Sequence, residues 1–148
     1  MAAKITVEVK GLHELGEKMR GLSAKVASRV ASSATSAAAQ VIKKKAIANI
    51  KRSPSIDTGS LRDAVIVKKI PKGQSRLTSE HIATVRGKGK PYNKKGKKII
   101  APHAHLVEFG TVHMPAEPFL RPAFDTEKRR ALDAMVSRLE KGIVRATK

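Results

Sequence analysis

The segment SAKVASRVASSATSAAAQVIKKKAIANI, Ser23–Ile50, decides how the rest of the chain is read. Its apolar residues recur at three- and four-residue steps through Val26, Val30, Ala34, Ala37, Val41 and Ile50, and the series extends back through Leu12, Leu15, Met19 and Leu22. That spacing puts one apolar stripe on a long helix. Gly16 and Gly21 weaken its first turns, and Ser23 is a good N-cap, so the main helix is expected to begin there. The middle, ASSATSAAAQ, is small and neutral, which lets another backbone approach closely. Pro54 ends the helix, because the residue before a proline disfavours helical geometry.

Outward from this helix the periods change. Upstream, Ile5, Val7 and Val9 alternate with polar residues, as in a short half-buried strand that Gly11 breaks. Downstream, Asp57, Thr58 and Gly59 form a turn before LRDAVIVKKI, a β-branched run read as a strand ending at Pro71–Gly73. A second strand is expected at His81–Arg86. Arg86–Lys98 holds seven positive charges, three glycines and no acid, as a mobile loop or hairpin tip would. HAHLVEFGT, 103–111, fits either a strand or a single helical turn. After Pro122, the residues Phe124, Leu132, Met135, Leu139 and Ile143 make one face of a second helix, with Asp125 and Thr126 suited to its start. The fold class is α+β. Two long helices pack on a small, mostly antiparallel sheet in a single domain over 1–148, with 86–98 as a flexible basic loop.

The 148 residues can bury a modest core. Twenty of the hydrophobic residues are alanines, which bury little area each, so part of the stability is expected to come from neighbouring subunits. The net charge of +19 attracts polyanions: nucleic acid first, then anionic membrane or an acidic protein surface. It equally suits a solvated surface that keeps an oligomer soluble. There is no cysteine, hence no disulfide or thiolate chemistry. The start of the sequence has no signal-peptide pattern and no apolar run is long enough to cross a bilayer, so a soluble protein of a reducing compartment is expected, with no membrane partner.

Catalytic patterns are missing. His103, His105 and His113 could in principle make a three-histidine zinc site, but no HExxH or cysteine pair supports it, and polar surface histidines are the simpler reading. The Gly-Lys loop lacks P-loop spacing and no serine sits in a GxSxG elbow. No enzyme and no cofactor are expected. The basic loop (Arg86, Lys88, Lys90, Lys94, Lys95, Lys97 and Lys98) would bind nucleic acid without sequence preference, having only Tyr92 to stack on bases, or would dock a protein.

All three phenylalanines and three of the seven prolines gather in VEFGTVHMPAEPFLRPAFD, Val107–Asp125. The prolines enforce an extended Met114–Pro122, stiffened for docking. Phe109 and Phe124 are read as ordinary core residues. Phe119 and Leu120 are expected to insert into a groove on this domain or on a neighbour.

These motifs resemble the tail-completion, or head–tail joining, family of long-tailed bacteriophages and prophages. Pro54, Thr58, Gly59, Leu61 and Arg62 match its turn motif, with Asp57 beside them. Val107–Thr111 match its aromatic-V-E-F-G-T box, and Pro115, Ala116, Pro118–Ala123 its proline-rich continuation. His105-Leu106 stands where the box usually opens with an aromatic, and the loop before it is unusually rich in lysine. The resemblance implies a structural virion protein, a tail terminator ring at the head-proximal end of the tail tube. The ring would be a homo-oligomer of six copies, made in the host cytoplasm and placed in the virion neck. Its partners would be the tail tube protein and the head connector or stopper, with non-specific contact to phage DNA. Phe109, Gly110, Thr111, Pro115, Pro118, Phe119, Leu120, Arg121 and Pro122 would lie near a subunit or tube interface. Asp57, Thr58, Gly59, Leu61 and Arg62 would form a structural turn.

Overall fold

A computed structural model describes residues 11–52, 59–70, 79–88, 96 and 100–147. In chain order they form α1 (Leu12–Arg20), α2 (Ala24–Arg52), α3 (Gly59–Ala64), β1 (Val65–Lys69), β2 (His81–Val85), α4 (Ala104–Phe109) and α5 (Leu120–Ala146). The strand expected at Ile5–Val9, the turn residues Asp57 and Thr58, and Lys90, Lys94, Lys95, Lys97 and Lys98 of the basic loop lie outside the described residues.

The α+β reading holds, with helix dominating. α2 and α5, 29 and 27 residues long, run side by side as the spine; at 1.5 Å per residue each spans about 40 Å. Small residues set their separation. Ala34, Ala46 and Ala123 are fully buried, and a Cβ built on Gly142 would stand 2.7 Å from Val30 Cγ1. Alanine-rich helices bury less area per residue than leucine-rich ones but bring backbones closer, so dispersion compensates in part.

The periodic stripe from Leu12 breaks where its glycines fall. α1 ends at Gly21, after which Leu22 N–H bonds the carbonyl of Met19 at 3.1 Å, and α2 restarts at Ala24. Leu15, Met19, Leu22 and Val26 pack with Val30, Ala34, Leu139 and Ile143 into a cluster at this end of the spine. A second cluster holds the other end, where Ile42, Ala46 and Ile50 of α2 meet Leu61, Val65, Phe119, Ala123 and Ala131.

The run read as one strand from Leu61 divides instead. Gly59–Ala64 is a helical turn that buries Leu61 and Ala64, three residues apart on one side, and extension begins with the β-branched Val65. β1 pairs antiparallel with β2, Val65 opposite Val85 and Lys69 opposite His81. Arg86 N–H continues the ladder to the Ala64 carbonyl, and its own carbonyl accepts from Ala101 N–H at 2.8 Å. Among the described residues the sheet has two strands, too few to stand alone in water. It leans on α2 through Val65, Ala83 and Val85, and through a 2.8 Å hydrogen bond between Thr35 Oγ1 and His81 Nδ1. Burial, and secondarily the charge of Lys69, holds the His81 imidazole below its ordinary pKa of 6.5. No helix among the described residues is long and apolar enough to cross a membrane.

Candidate docking surface

The motif stretch from Val107 onward builds a surface excursion with a locked base. α4 resolves 103–111 in favour of a helical turn, and Gly110 closes it with its N–H on the Leu106 carbonyl at 2.8 Å. Gly110 has φ 76°, ψ 179°, and a Cβ there would lie 2.8 Å from Ala116 N and 2.9 Å from the Met114 carbonyl oxygen. Only glycine accepts both the dihedral and the approach of that backbone. Thr111 and Met114 then bridge across a tight turn, Thr111 N–H donating to Met114 O at 2.8 Å, and Glu117 N–H returns to the Val107 carbonyl at 2.8 Å.

Glu108 fastens the excursion to the long helix. Its carboxylate accepts from Phe119 N–H at 2.8 Å, Leu120 N–H at 3.0 Å and Arg121 N–H at 2.9 Å. These amides open α5, and the next residue, Pro122, has none. The first-turn donors that a helix cannot satisfy internally are thereby all accounted for, and a negative charge sits at the positive end of the helix dipole. Phe119, at the N-cap, has no capping side chain of its own. Its carbonyl accepts from Asn49 Nδ2 at 3.0 Å, which ties the junction to α2. Sequence reading matched Glu108 to the motif but missed its task, because its partners lie 11 to 13 residues away. The expected extended run to Pro122 stops sooner: α5 already starts at Leu120, and Pro122 fits the first turn because no N–H is needed there.

Phe119 takes the groove on its own domain, and the other two phenylalanines depart from their core assignment. Phe119 is 2% exposed, packed in its own core with Ile50, Leu61 and Val65, so its side chain does not reach into a neighbour. Leu120 packs partly buried against the same cluster. Phe109 and Phe124, read as core, are 73% and 54% exposed. The core position beside Phe124 is taken by Ala123, because the close approach of α2 and α5 leaves room only for a small side chain. Gly110, Thr111, Pro115 and Pro118 line the excursion. Arg121 is exposed near its base. Gly59, Leu61 and Arg62 belong to α3, Arg62 Nε lying 3.4 Å from Asp63 Oδ1.

Two apolar surfaces result. The excursion carries Phe109, Val112 (96% exposed) and Met114 outward. Beside it, a groove of about 1050 Å³ is floored by Ala38, Ala39 and Ile42 of α2 and walled by Ile70, Ile82 and Ala83 on one side and Leu120, Phe124, Leu132 and Met135 on the other, with Glu80, Arg121, Asp125 and Lys128 among its polar groups. Contiguous apolar surface rimmed by polar groups is the kind at which proteins make contacts.

Other expectations fare differently. His103 and His105 sit at the start of α4 and not on one strand face; His105 Nδ1 lies 3.2 Å from the Pro102 carbonyl oxygen. Among the described residues no group of three His, Asp or Glu is arranged to hold a metal ion. Of the basic loop, Arg86 continues the ladder and Lys88 is exposed. A hollow of about 500 Å³ elsewhere is lined by Lys25, Ser28, Arg29, Ser32, Ser33, Ser36, Lys69 and His81, with no carboxylate.

Residues 13–110, from α1 through the VEFG box, match the profile of a family described as "Bacteriophage HK97-gp10, putative tail-component". The chain belongs to this family. It is therefore a structural component of a phage tail and a protein of the virion. No curated protein and no solved structure gives a significant match. The matched span of this tail component ends at Gly110. The excursion beyond Gly110 and all of α5 lie outside it, so their role rests on the geometry above.

Proposed function

We propose that the protein is a tail terminator: a ring, six-fold to match the tube, that seats on the head-proximal end of the tail tube, stops its growth and presents the surface to which the head connector or stopper docks. It works by contact and not by catalysis. The observation that carries the reading is the excursion, a rigidly clasped turn that holds Phe109, Val112 and Met114 in water on a chain from a tail-component family. Apolar side chains held out in this way mark an assembly surface. Assembly would take place in the host cytoplasm and leave the protein in the virion neck.

The test is electron microscopy of purified tail tubes incubated with the protein. A ring at one end of each tube, with growth arrested there, is the expected result. Decoration along the tube, or none, refutes the terminator role.

A second reading, binding of nucleic acid without sequence preference, is favoured by the carboxylate-free hollow around Lys25, Arg29 and Lys69. Serine hydroxyls beside cations suit phosphate oxygens, and they carry no base information. Within a ring on the DNA conduit the two readings are compatible. Affinity for random duplex DNA that falls steeply with salt would support it.

A further inference from the structure

Both apolar surfaces stand in water within one protomer, and we propose that they are the two halves of the contact between successive copies of this chain: the Phe109–Met114 turn of one copy fills the groove walled by Ile82 and Phe124 of the next. The proposal rests on the self-assembly part of the reading above.

Six of the seven exposed large apolar side chains among the described residues fall in these two places, three on the turn and three, Ile70, Ile82 and Phe124, along the groove. One patch is convex and the other concave. Within a single protomer the turn does not reach the groove, since Val112 remains 96% exposed and Phe124 half exposed. A contact made of two different patches is head-to-tail. It leaves a growing assembly with one free knob and one free groove, so it propagates, and it closes as a ring where the rotation between copies returns the last groove to the first knob. A self-paired dimer would need one patch that matches itself.

Charge selects the same occupant. A chain of net charge +19 repels its own copies over most of its surface. The turn sits in the longest stretch without lysine or arginine, between Lys98 and Arg121, where Glu108 and Glu117 are the only charged residues. It is thus the part of the molecule that another cationic copy repels least. Arg121 and Lys128 at the groove would receive it, while Glu80 and Asp125 offset cations of the incoming copy. The backbone needs no rearrangement, because Gly110 and the Glu108 clasp already fix the turn. Little ordering entropy is left to lose on docking.

The absence of native cysteine makes the test clean. V112C and I82C are prepared singly, checked for an unchanged far-UV spectrum, mixed and oxidised, and mass is followed against concentration. L132C replaces I82C if the latter alters the fold. The expected result is a disulfide-linked pair in the mixture and in neither variant alone, with the double variant giving a ladder that ends at one ring size. V112D should weaken self-association by about tenfold or more while folding normally.

Oligomers that form without this cross-link would overturn the knob-and-groove pairing and leave the ring reading standing. A monomer at every concentration would sink both. An intramolecular bridge in the double variant, formed without change in mass, would show the turn folding onto its own groove and overturn the proposal. Bridging of I82C to cysteine placed in the first ten residues, or to the tube protein, would give the groove another occupant and overturn it equally.

Discussion

Replacing Glu108 by alanine removes three hydrogen bonds at once without touching the core. The carboxylate holds the amides of Phe119, Leu120 and Arg121 at 2.8, 3.0 and 2.9 Å. Of these, the Arg121 bond is exposed and water can replace it, whereas those to Phe119 and Leu120 are partly buried. An orphaned, partly buried donor costs about 1–2 kcal/mol, and loss of the favourable charge at the helix start adds about 0.5–1 kcal/mol. Over the two partly buried donors and the lost charge the sum is about 2.5–5 kcal/mol, a large share of the roughly 5–15 kcal/mol that holds a domain together. For a domain of this size the melting temperature should fall by about 5–20 °C. Glu108→Gln keeps the shape and one acceptor oxygen but presents an amide donor to donors, so about half the loss is expected. The assay is urea and thermal denaturation followed by circular dichroism, with hydrogen exchange at the three amides. If both variants unfold within about 0.5 kcal/mol of the parent, or if glutamine is worse than alanine, the clasp is not a stabilising cap.

Phe119→Ala should cost about 3–5 kcal/mol by opening a cavity in the core, so denaturation will show a destabilised fold before any assembly assay is meaningful. Phe109→Ala should leave the denaturation midpoint within about 0.5 kcal/mol of the parent, its ring being mostly in solvent. Gly110→Ala must break the turn or shift the Ala116 backbone, with a loss of about 2 kcal/mol or more in the same measurement. Gly142→Ala places a methyl against Val30 and should cost about 1–3 kcal/mol. Val30→Ala in the same chain should recover part of that, a non-additivity that a double-mutant cycle reads directly. The depressed pKa of His81 means that the unfolded chain binds a proton more readily than the folded one. Its contribution is therefore fully present above pH 6.5 and is lost as pH falls from there toward the folded value. His81→Gln should flatten that part of the stability–pH curve.

Much of this architecture is written in local patterns. The three-four spacing from Leu12 to Ile50 shows the long helix, and Gly21 marks where it divides. The β-branched Val65–Val67 shows the strand, and the apolar face of Leu132, Leu139 and Ile143 shows the last helix. What stayed hidden depends on contacts between distant segments. Periodicity assigns a residue to a face but not a face to a partner, so Ala123, about 100° around α5 from Phe124, takes the buried position against the core and Phe124 does not. Phe119 reads as a ring that must fill a groove, but not whose, because its neighbours Ile50, Leu61 and Val65 are remote in sequence. The groove is invisible in one dimension, being made from three elements. Glu108 was legible as part of the box, yet its work as a cap for α5 has no local signature; only its coincidence with an uncapped helix start, in space, reveals it.

The clasp has one more consequence. Because Gly110, Glu117 and the Glu108 carboxylate pin both ends of the excursion to the body, the four residues at its tip hang from a fixed frame. Exchanging Val112 or His113 alters what the molecule greets without loosening how it folds. Recognition and folding thus sit on separately tunable residues, so a lineage facing a changed neighbour can refit the tip first.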